Sequence, residues 1–390
     1  MSARPDWVET EAAIAALLPK SRASTERTKL LASLADYSDA VIREARALGA
    51  IVPTEKACTD AIEWLLRPVF ICGHHRSGTT LLQNLLDGHP QLISLPSEGT
   101  YFSSFAYVAR RAAAKPHIER FASEWIKRFI DPNFEPHFRL GCSIADRNPS
   151  VDFARMLFGW HEALQGRVPQ KFAALFALVG AYKAVTAPAS TPNLWVEKTP
   201  RNELYVARFR ALAGARFIQV VRDPRSTLAS LSETYRIAGR GFFDIAEHAR
   251  AIGESLRLAR ANLRRLASRY IVIRYEDLVD HPTREIERVR DFLGITPDAA
   301  LHAPTVGGRT ARANSSFGGS APGVIRAMQR RAAVSAEQLA LLGVYTSEQA
   351  RLLGYSVPGP RPIVALMVRL RHWPHHMWRK LGNSFGLITH

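Results

Sequence analysis

Cysteine is scarce: three in 390 residues, at Cys58, Cys72 and Cys142. An odd, widely spaced set gives no disulfide framework and no zinc spacing, so a reducing compartment such as the cytoplasm is the simpler expectation. Long apolar runs are missing too. No stretch approaches the ~20 apolar residues of a membrane span. The N-terminus MSARPDWVETEAAIAALLPK carries acidic residues and lacks the basic, then apolar, pattern of a signal peptide. Acidic residues are the minority charge, 35 Asp and Glu against 52 Lys and Arg, for a net charge of +17. That balance suits an anionic partner: nucleic acid, an acidic membrane surface or an anionic ligand. No nucleic-acid motif is present, and much of the excess is Arg scattered over helical segments, the pattern of a solvated face. No nucleic-acid partner is expected.

What is present centres on PVFICGHHRSGTTLLQNLL, Pro68–Leu86. Val69 to Cys72 reads as a buried parallel strand. Gly73 and Gly78 bracket a turn, and Thr79 to Leu86 has the apolar spacing of a helix. Strand, glycine turn and helix N-terminus make an anion site, because backbone N–H groups converge where the helix dipole is positive. The spacing is that of a nucleotide-triphosphate loop, but Thr79 and Thr80 stand where Lys and Ser or Thr would be, and the cation is Arg76, inside the loop. The loop is built for phosphate but not for magnesium-dependent ATP hydrolysis. A plain strand–helix turn would not need Arg76, Ser77, Thr79 and Thr80 on one face.

Three more apolar strands follow: Leu194–Lys198, Arg216–Val221 and Tyr270–Arg274, with helices between them, including a long one from about Asp244 to Ser268. A short strand, Leu92 to Leu95, leads into a loop carrying Glu98. Alternation of this kind predicts an α/β fold, a mostly parallel sheet flanked by helices. Ligands bind beyond the carboxyl ends of such strands, where Arg76, Lys198, Arg222 and Tyr275 lie. Thr199 is placed to cap a helix with Pro200 in its first turn, and Asp223 to cap another begun by Pro224. Residues 1–66 read as a helical segment, a cap or a dimerisation element. Residues 67–358 form the α/β domain, with helices expected near Ser335–Leu342 and Ser347–Leu353. Residues 359–390 form a basic tail. Between Leu301 and Gly323 lies an aperiodic loop in which Arg309, Arg312, Ser315 and Ser316 are phosphate-seeking. Aromatics from Tyr101 to Phe129 suit a core, with Tyr101 and Phe102, nearest Glu98, the candidates to line a substrate pocket. Asp131 to Pro149 is a candidate lid.

R-S-G-T-T-L-L after an apolar strand resembles the 5′-phosphosulfate loop of sulfotransferases that use 3′-phosphoadenosine 5′-phosphosulfate (PAPS), and L-D-G-H-P resembles its protein-tyrosine and bacterial branches. Three further motifs occur in the family's order. W-V-E-K-T-P, Trp195–Pro200, resembles the second cationic segment. V-V-R-D-P-R-S-T-L-A-S, Val220–Ser230, resembles the 3′-phosphate motif, with Ser230 eight residues beyond Arg222. R-Y-E-D-L, Arg274–Leu278, resembles the segment whose Tyr meets adenine.

The resemblance implies that Arg76, Ser77, Gly78, Thr79, Thr80, Leu81, Arg222, Ser230, Tyr275, Arg312 and Ser315 hold PAPS, and that no metal is required. Glu98 is implied as general base, as a Glu in this region is in the protein-tyrosine and heparan branches. Lys198 and Arg76 are implied to stabilise the leaving group. His74 and His75 are rival bases, His89 reads as a structural helix-end residue, and Glu197 as a partner for Lys198. The alternatives are a P-loop small-molecule kinase, with Asp223 imitating a magnesium ligand, and a non-catalytic nucleotide-binding protein lacking a base. The acceptor is any hydroxyl bearer: lipid, saccharide, peptide tyrosine or metabolite. In the tail, Ile363, Leu366, Leu370, Trp373, Met377 and Leu381 fall on one helical face among cations. That suits either an interfacial helix at a membrane or a stripe packed on the protein's own core.

Overall fold

The computed structural model describes residues 6–17, 24–105, 117–132, 140–141, 143, 147–209, 212–237, 243–311, 323, 325 and 335–359. Three helices come first: α1 (Trp7–Ala16), α2 (Ser24–Leu48) and α3 (Glu55–Leu65). Then follow β1 (Pro68–Cys72), α4 (Thr79–Leu86), β2 (Leu92–Ser94), α5 (His117–Ile130), α6 (Pro149–Ala163) and α7 (Ala173–Thr186). After β3 (Leu194–Lys198) come the single turn α8 (Val206–Phe209), β4 (Arg216–Val221), α9 (Pro224–Ile237) and α10 (Ile245–Leu266). The chain continues with β5 (Tyr270–Arg274), α11 (Tyr275–Asp280), α12 (Pro282–Leu293), β6 (Thr305–Val306), β7 (Arg309–Thr310) and α13 (Ala336–Arg351).

Strands β1 to β5 form one parallel sheet in the order β2-β3-β1-β4-β5. Parallel strands need crossovers, and their helices cover both faces, which is why β1 is buried at every position. The pleat still sorts its residues. Phe70 and Cys72 join Trp195, Phe217 and Tyr270 on one face, with the aromatic helices α5–α7. Val69 and Ile71 join Val196, Ile218 and Ile273 on the other, against Leu81, Leu82 and Leu85 of α4 and Ile286 and Val289 of α12. Strand β1 lies between β3 and β4. Its carboxyl end is therefore the switch point where successive connections leave to opposite sides, the position at which open α/β sheets bind ligands.

The N-terminal helices belong to the main core. Trp7, Leu34, Tyr37 and Val41 share one continuous buried cluster with Phe70 and Trp195, and Trp195 Nε1 donates to Leu65 O at 2.8 Å.

Some local readings are corrected by packing. One helix, α13, replaces the two expected around Ser335–Leu353. Ser335 caps it through a capping box, but the chain runs on through Ser347 because Leu341, Leu342 and Ala350 bury against Ile252, Leu256 and Ala259 of α10. Thr199 does not cap a helix. Its hydroxyl donates to Glu197 Oε1, and the next element is a 3₁₀ turn, Asn202–Leu204, entered from Arg201 at φ 68° without a side-chain cap. The stretch after Leu301 is not wholly irregular. Gly307 and Gly308, both at positive φ, turn β6 into β7, and Asp87 fixes that hairpin by accepting from Thr305 Oγ1 and Gly308 N, each at 2.8 Å. Asp223 caps as expected, accepting from Arg225 N at 2.7 Å, and Asp244 caps α10. Most of Asp131–Pro149, and the tail from residue 360 onward, lie outside the described residues.

Candidate active site

The glycine turn is tied down from below. Gly73 N donates to Glu203 Oε2 at 2.9 Å, and Gly73 O accepts from Arg201 N at 2.8 Å. Glu203 is itself held by Ser255 Oγ at 2.6 Å, in a buried site that raises its pKa. The loop then passes through two left-handed residues, Arg76 at φ 69° and Gly78 at φ 100°. Gly78 is the N-cap of α4 and offers no capping side chain. The leading N–H groups of the helix therefore point into the cleft without a side-chain acceptor. A Cβ at Gly78 would fall against the ring of Tyr275, so the loop and the start of α11 pack as closely as a residue without a side chain allows.

The cleft above this turn is lined by His75, Arg76, Gly78, Thr79, Thr80, Leu81, Glu98, Pro200, Arg222 and Tyr275. On one flank Arg76 Nε donates to Ser230 Oγ at 3.0 Å, and an Arg222 terminal nitrogen donates to Arg76 O at 3.0 Å. The Arg222 guanidinium also lies 4.4 Å from the centroid of the Tyr275 ring. Two guanidinium groups thus share one site. Burial and then the Arg222 charge hold Arg76 below the usual arginine value. Ser77 Oγ and Arg222 Nε are buried without a hydrogen-bond partner among the described residues. Orphaned donors beside crowded cations are what a site shaped for an anion presents.

On the other flank Lys198, only 7% exposed, bonds Glu98 Oε1 at 2.9 Å, while Glu98 is 39% exposed to the cleft. Successive strand residues point to opposite faces, so Glu197 cannot share this pair, contrary to the reading of Glu197 as the partner of Lys198. Glu197 turns instead into a closed pocket. There it accepts from Gly99 N at 2.7 Å, Asn202 Nδ2 at 2.8 Å and the Thr199 hydroxyl. Burial pushes its pKa up to about 7 despite those donors.

The sequence-derived candidates Arg76, Gly78, Thr79, Thr80, Leu81, Arg222, Tyr275 and Glu98 all border one cleft, with Ser77 buried beneath it, and Lys198 and Ser230 hydrogen-bonded to members of its lining. Arg76 groups with Ser230 and Arg222 rather than with the Glu98–Lys198 pair. Tyr101 and Phe102 are buried in a ring cluster with Phe121, Phe172 and Phe209, and Tyr101 OH donates to Lys171 O at 2.6 Å. They do not border the cleft. Arg312 and Ser315 lie outside the described residues. His74 is buried and held neutral, its pKa pushed down to about 3 by burial, whereas His75 is exposed on the cleft rim. His89 is structural, its ring bonded to Thr296 O at 2.9 Å and accepting from Gln91 N. Among the described residues no group of three His, Cys, Asp or Glu side chains is placed to hold a metal.

Residues that sequence reasoning did not find are Arg128, Thr199, Asn202 and Glu203. Arg128 reaches from α5 to Glu98 O and to Thr100 Oγ1, the latter at 3.1 Å. One of several cations on an amphipathic helix, it carries no sequence signal of such a reach.

Carbohydrate sulfotransferase 1 of Rattus norvegicus is 33% identical over 97 residues, 21% of this chain and 24% of the relative. The Danio rerio protein of that name is 30% identical over 120 residues, 26% of this chain and 29% of the relative. The aligned region thus spans about a quarter of the length of these curated relatives. Among solved structures, the sulfotransferase domain from the curacin biosynthetic pathway covers 74% of this chain and 98% of its own, at 19% identity and TM-score 0.45. Sulfotransferase STF9 from Mycobacterium avium covers 77% and 81%, at 15% identity and TM-score 0.41. Residues 68–299 match the profile described as the sulfotransferase family, and the chain belongs to that family.

Proposed function

We propose that this protein transfers a sulfuryl group from PAPS to an acceptor hydroxyl. The observation that carries this reading is the division of one phosphate-type loop between two flanks: a shared cationic site of Arg76, Ser230 and Arg222 on one side, and the Glu98–Lys198 pair on the other.

The residues present fit such a co-substrate. The uncapped start of α4 and the buried, unpartnered Ser77 Oγ suit the 5′-phosphosulfate. Arg222 Nε, also unpartnered, with Ser230 and Arg76 beside it, suits a 3′-phosphate, and the Tyr275 ring offers a face for adenine. Arg76 is thereby assigned to the phosphate-holding set rather than to the leaving group. When bound, PAPS supplies the sulfuryl group and departs as adenosine 3′,5′-bisphosphate. Glu98 faces the cleft and takes the acceptor's hydroxyl proton. Lys198 orients Glu98 and is the buried cation placed to meet negative charge developing at the loop. Sulfuryl transfer, like phosphoryl transfer, is served mainly by such positioning and charge complementarity.

The acceptor is a hydroxyl compound. The carbohydrate sulfotransferases that the chain resembles put saccharides first, with lipids, tyrosyl peptides and small metabolites as the remaining classes. Cys58 and Cys72 are free thiols, and a reducing, cytoplasmic setting suits them. The test is transfer of radiolabelled sulfate from PAPS to a panel of these four classes without added magnesium, with radiolabelled ATP and magnesium in parallel. Labelled product from PAPS alone supports the assignment. Labelled product from ATP alone points to the kinase alternative.

A further inference from the structure

We infer that Arg128 and Glu197 are positioning residues that together clamp the segment Glu98–Thr100 and so aim Glu98 at the reacting hydroxyl. The inference rests on the reading of Glu98 as general base and extends it.

Three backbone groups of this short segment, Glu98 O, Gly99 N and Thr100 N, and the Thr100 hydroxyl are held. Arg128 donates one nitrogen to Glu98 O and another to Thr100 Oγ1 at 3.1 Å. Glu197 Oε1 accepts from Gly99 N at 2.7 Å, and Thr199 Oγ1 accepts from Thr100 N at 2.9 Å while donating to Glu197. Asn202 closes the set by donating to Glu197 Oε2 at 2.8 Å. The grip is close: a Cβ at Gly99 would sit 2.5 Å from Glu197 Oε1. It also holds an unfavourable conformation. Thr100 is β-branched and yet adopts φ 46°, a left-handed value that such residues avoid unless their surroundings impose it. A segment left to itself would relax, and Glu98, its first residue, would swing with it.

The chemistry of the two clamps is suited to the task. The guanidinium of Arg128 is a rigid fork that fixes two acceptors at once, where a lysine would fix one. It is braced in turn by the Trp125 ring, 5.1 Å from its carbon. Glu197 follows from the strand: residues 197 and 198 of β3 point to opposite faces, so one short run supplies both the clamp behind the segment and the cation in front of it. Neither Arg128 nor Glu197 is among the residues lining the cleft.

The experiment is a double-mutant cycle on the full chain. The reading is release of adenosine 3′,5′-bisphosphate from PAPS, with N-acetylglucosamine as the acceptor alcohol and water in its absence. Arg128→Ala is expected to lower kcat by ~100-fold, the scale of a catalytic group displaced by about an ångström, with KM for PAPS and binding of the bisphosphate unchanged. In a Glu98→Gln background Arg128→Ala is expected to lower the remaining rate no further, because it acts only through Glu98. Multiplicative losses in that background would overturn the inference.

Amide exchange of Gly99 and Thr100 is read on the same proteins and needs no turnover. Arg128→Ala is expected to accelerate it while leaving residues 73–80 protected, and unchanged exchange would overturn the clamp. Where Arg128→Ala fails to fold, Thr199→Val removes a single hydroxyl, keeps the side-chain shape and carries both readouts. Full activity of Glu98→Gln itself would instead strike the base assignment, and the exchange measurement would still decide the clamp.

Discussion

Replacing Glu98 by Gln separates catalysis from stability in a way the geometry quantifies. The carboxylate and the Lys198 ammonium are 2.9 Å apart. With an effective dielectric between about 80 and 20, the attraction at that distance is about 1.4–6 kcal/mol. Glu98 is 39% exposed, so the lower half of that range applies, and loss of the charge is expected to cost about 1–3 kcal/mol of stability. Most of that cost is the buried ammonium left without its partner, since Lys198 is only 7% exposed. The rate should fall much further, by ~10²–10⁴-fold, because the amide keeps the shape and cannot take a proton. Affinity for adenosine 3′,5′-bisphosphate should not change. A second substitution, Lys198→Met, removes the stranded charge. The double variant should therefore recover much of the lost stability and none of the lost rate. Thermal unfolding, calorimetric titration of the bisphosphate and initial rates on the two single variants and the double variant make the comparison. A Glu98→Gln protein with full rate, or a double variant whose rate returns along with its stability, would refute the reasoning.

Gly78→Ala should weaken bisphosphate binding at least tenfold, because φ 100° and the Tyr275 ring both oppose a side chain there. Gly294→Ala, at φ 64° with open space around it, is expected to cost only about 1 kcal/mol of stability with no change in binding, and calorimetry compares the two. Glu197 holds its proton more tightly when folded, with a pKa near 7 against an ordinary 4.5. Its contribution to stability is therefore full below about pH 4.5 and lost as pH rises through 7, an effect of about 3 kcal/mol from that shift. The difference between wild-type and Glu197→Gln unfolding curves should show this slope, and a flat difference from pH 4 to 8 would contradict it. If the basic tail lies on membranes, the full chain should float with anionic vesicles and a chain ending at Pro358 should not. Equal behaviour of the two would favour packing on the core.

The strands and the loop were legible because their signals are local. Val69–Cys72 is an uninterrupted apolar run, and glycines stand at two of the three turn positions with positive φ, 73 and 78. Asp223 and Asp244 cap helices by contacts only two or three residues away. The Gly307–Gly308 hairpin was equally local and went unread because its strands are only two residues each. The pairing of Lys198 with Glu98 rather than Glu197 follows from the two-residue period of a strand, which overrides proximity in sequence. Arg128 is of another kind. Its hydrogen bonds span 28 and 30 residues and depend on how α5 packs, and neither periodicity nor motif encodes that. Tyr101 and Phe102 lie next to Glu98 in sequence, but the ring cluster beneath the site claims them.

The measurement that bears most directly on the central claim is calorimetric titration of the protein with adenosine 3′,5′-bisphosphate, adenosine 5′-phosphosulfate and ATP, with and without magnesium, for the wild type and Arg222→Ala. A site built from the loop and from Arg222, Ser230 and Arg76 predicts magnesium-independent binding of the bisphosphate, tighter than ATP. It also predicts that Arg222→Ala weakens the bisphosphate far more than the phosphosulfate, which lacks the 3′-phosphate. Magnesium-dependent ATP binding with none for the bisphosphate, or equal losses for both sulfotransferase ligands, would contradict the account.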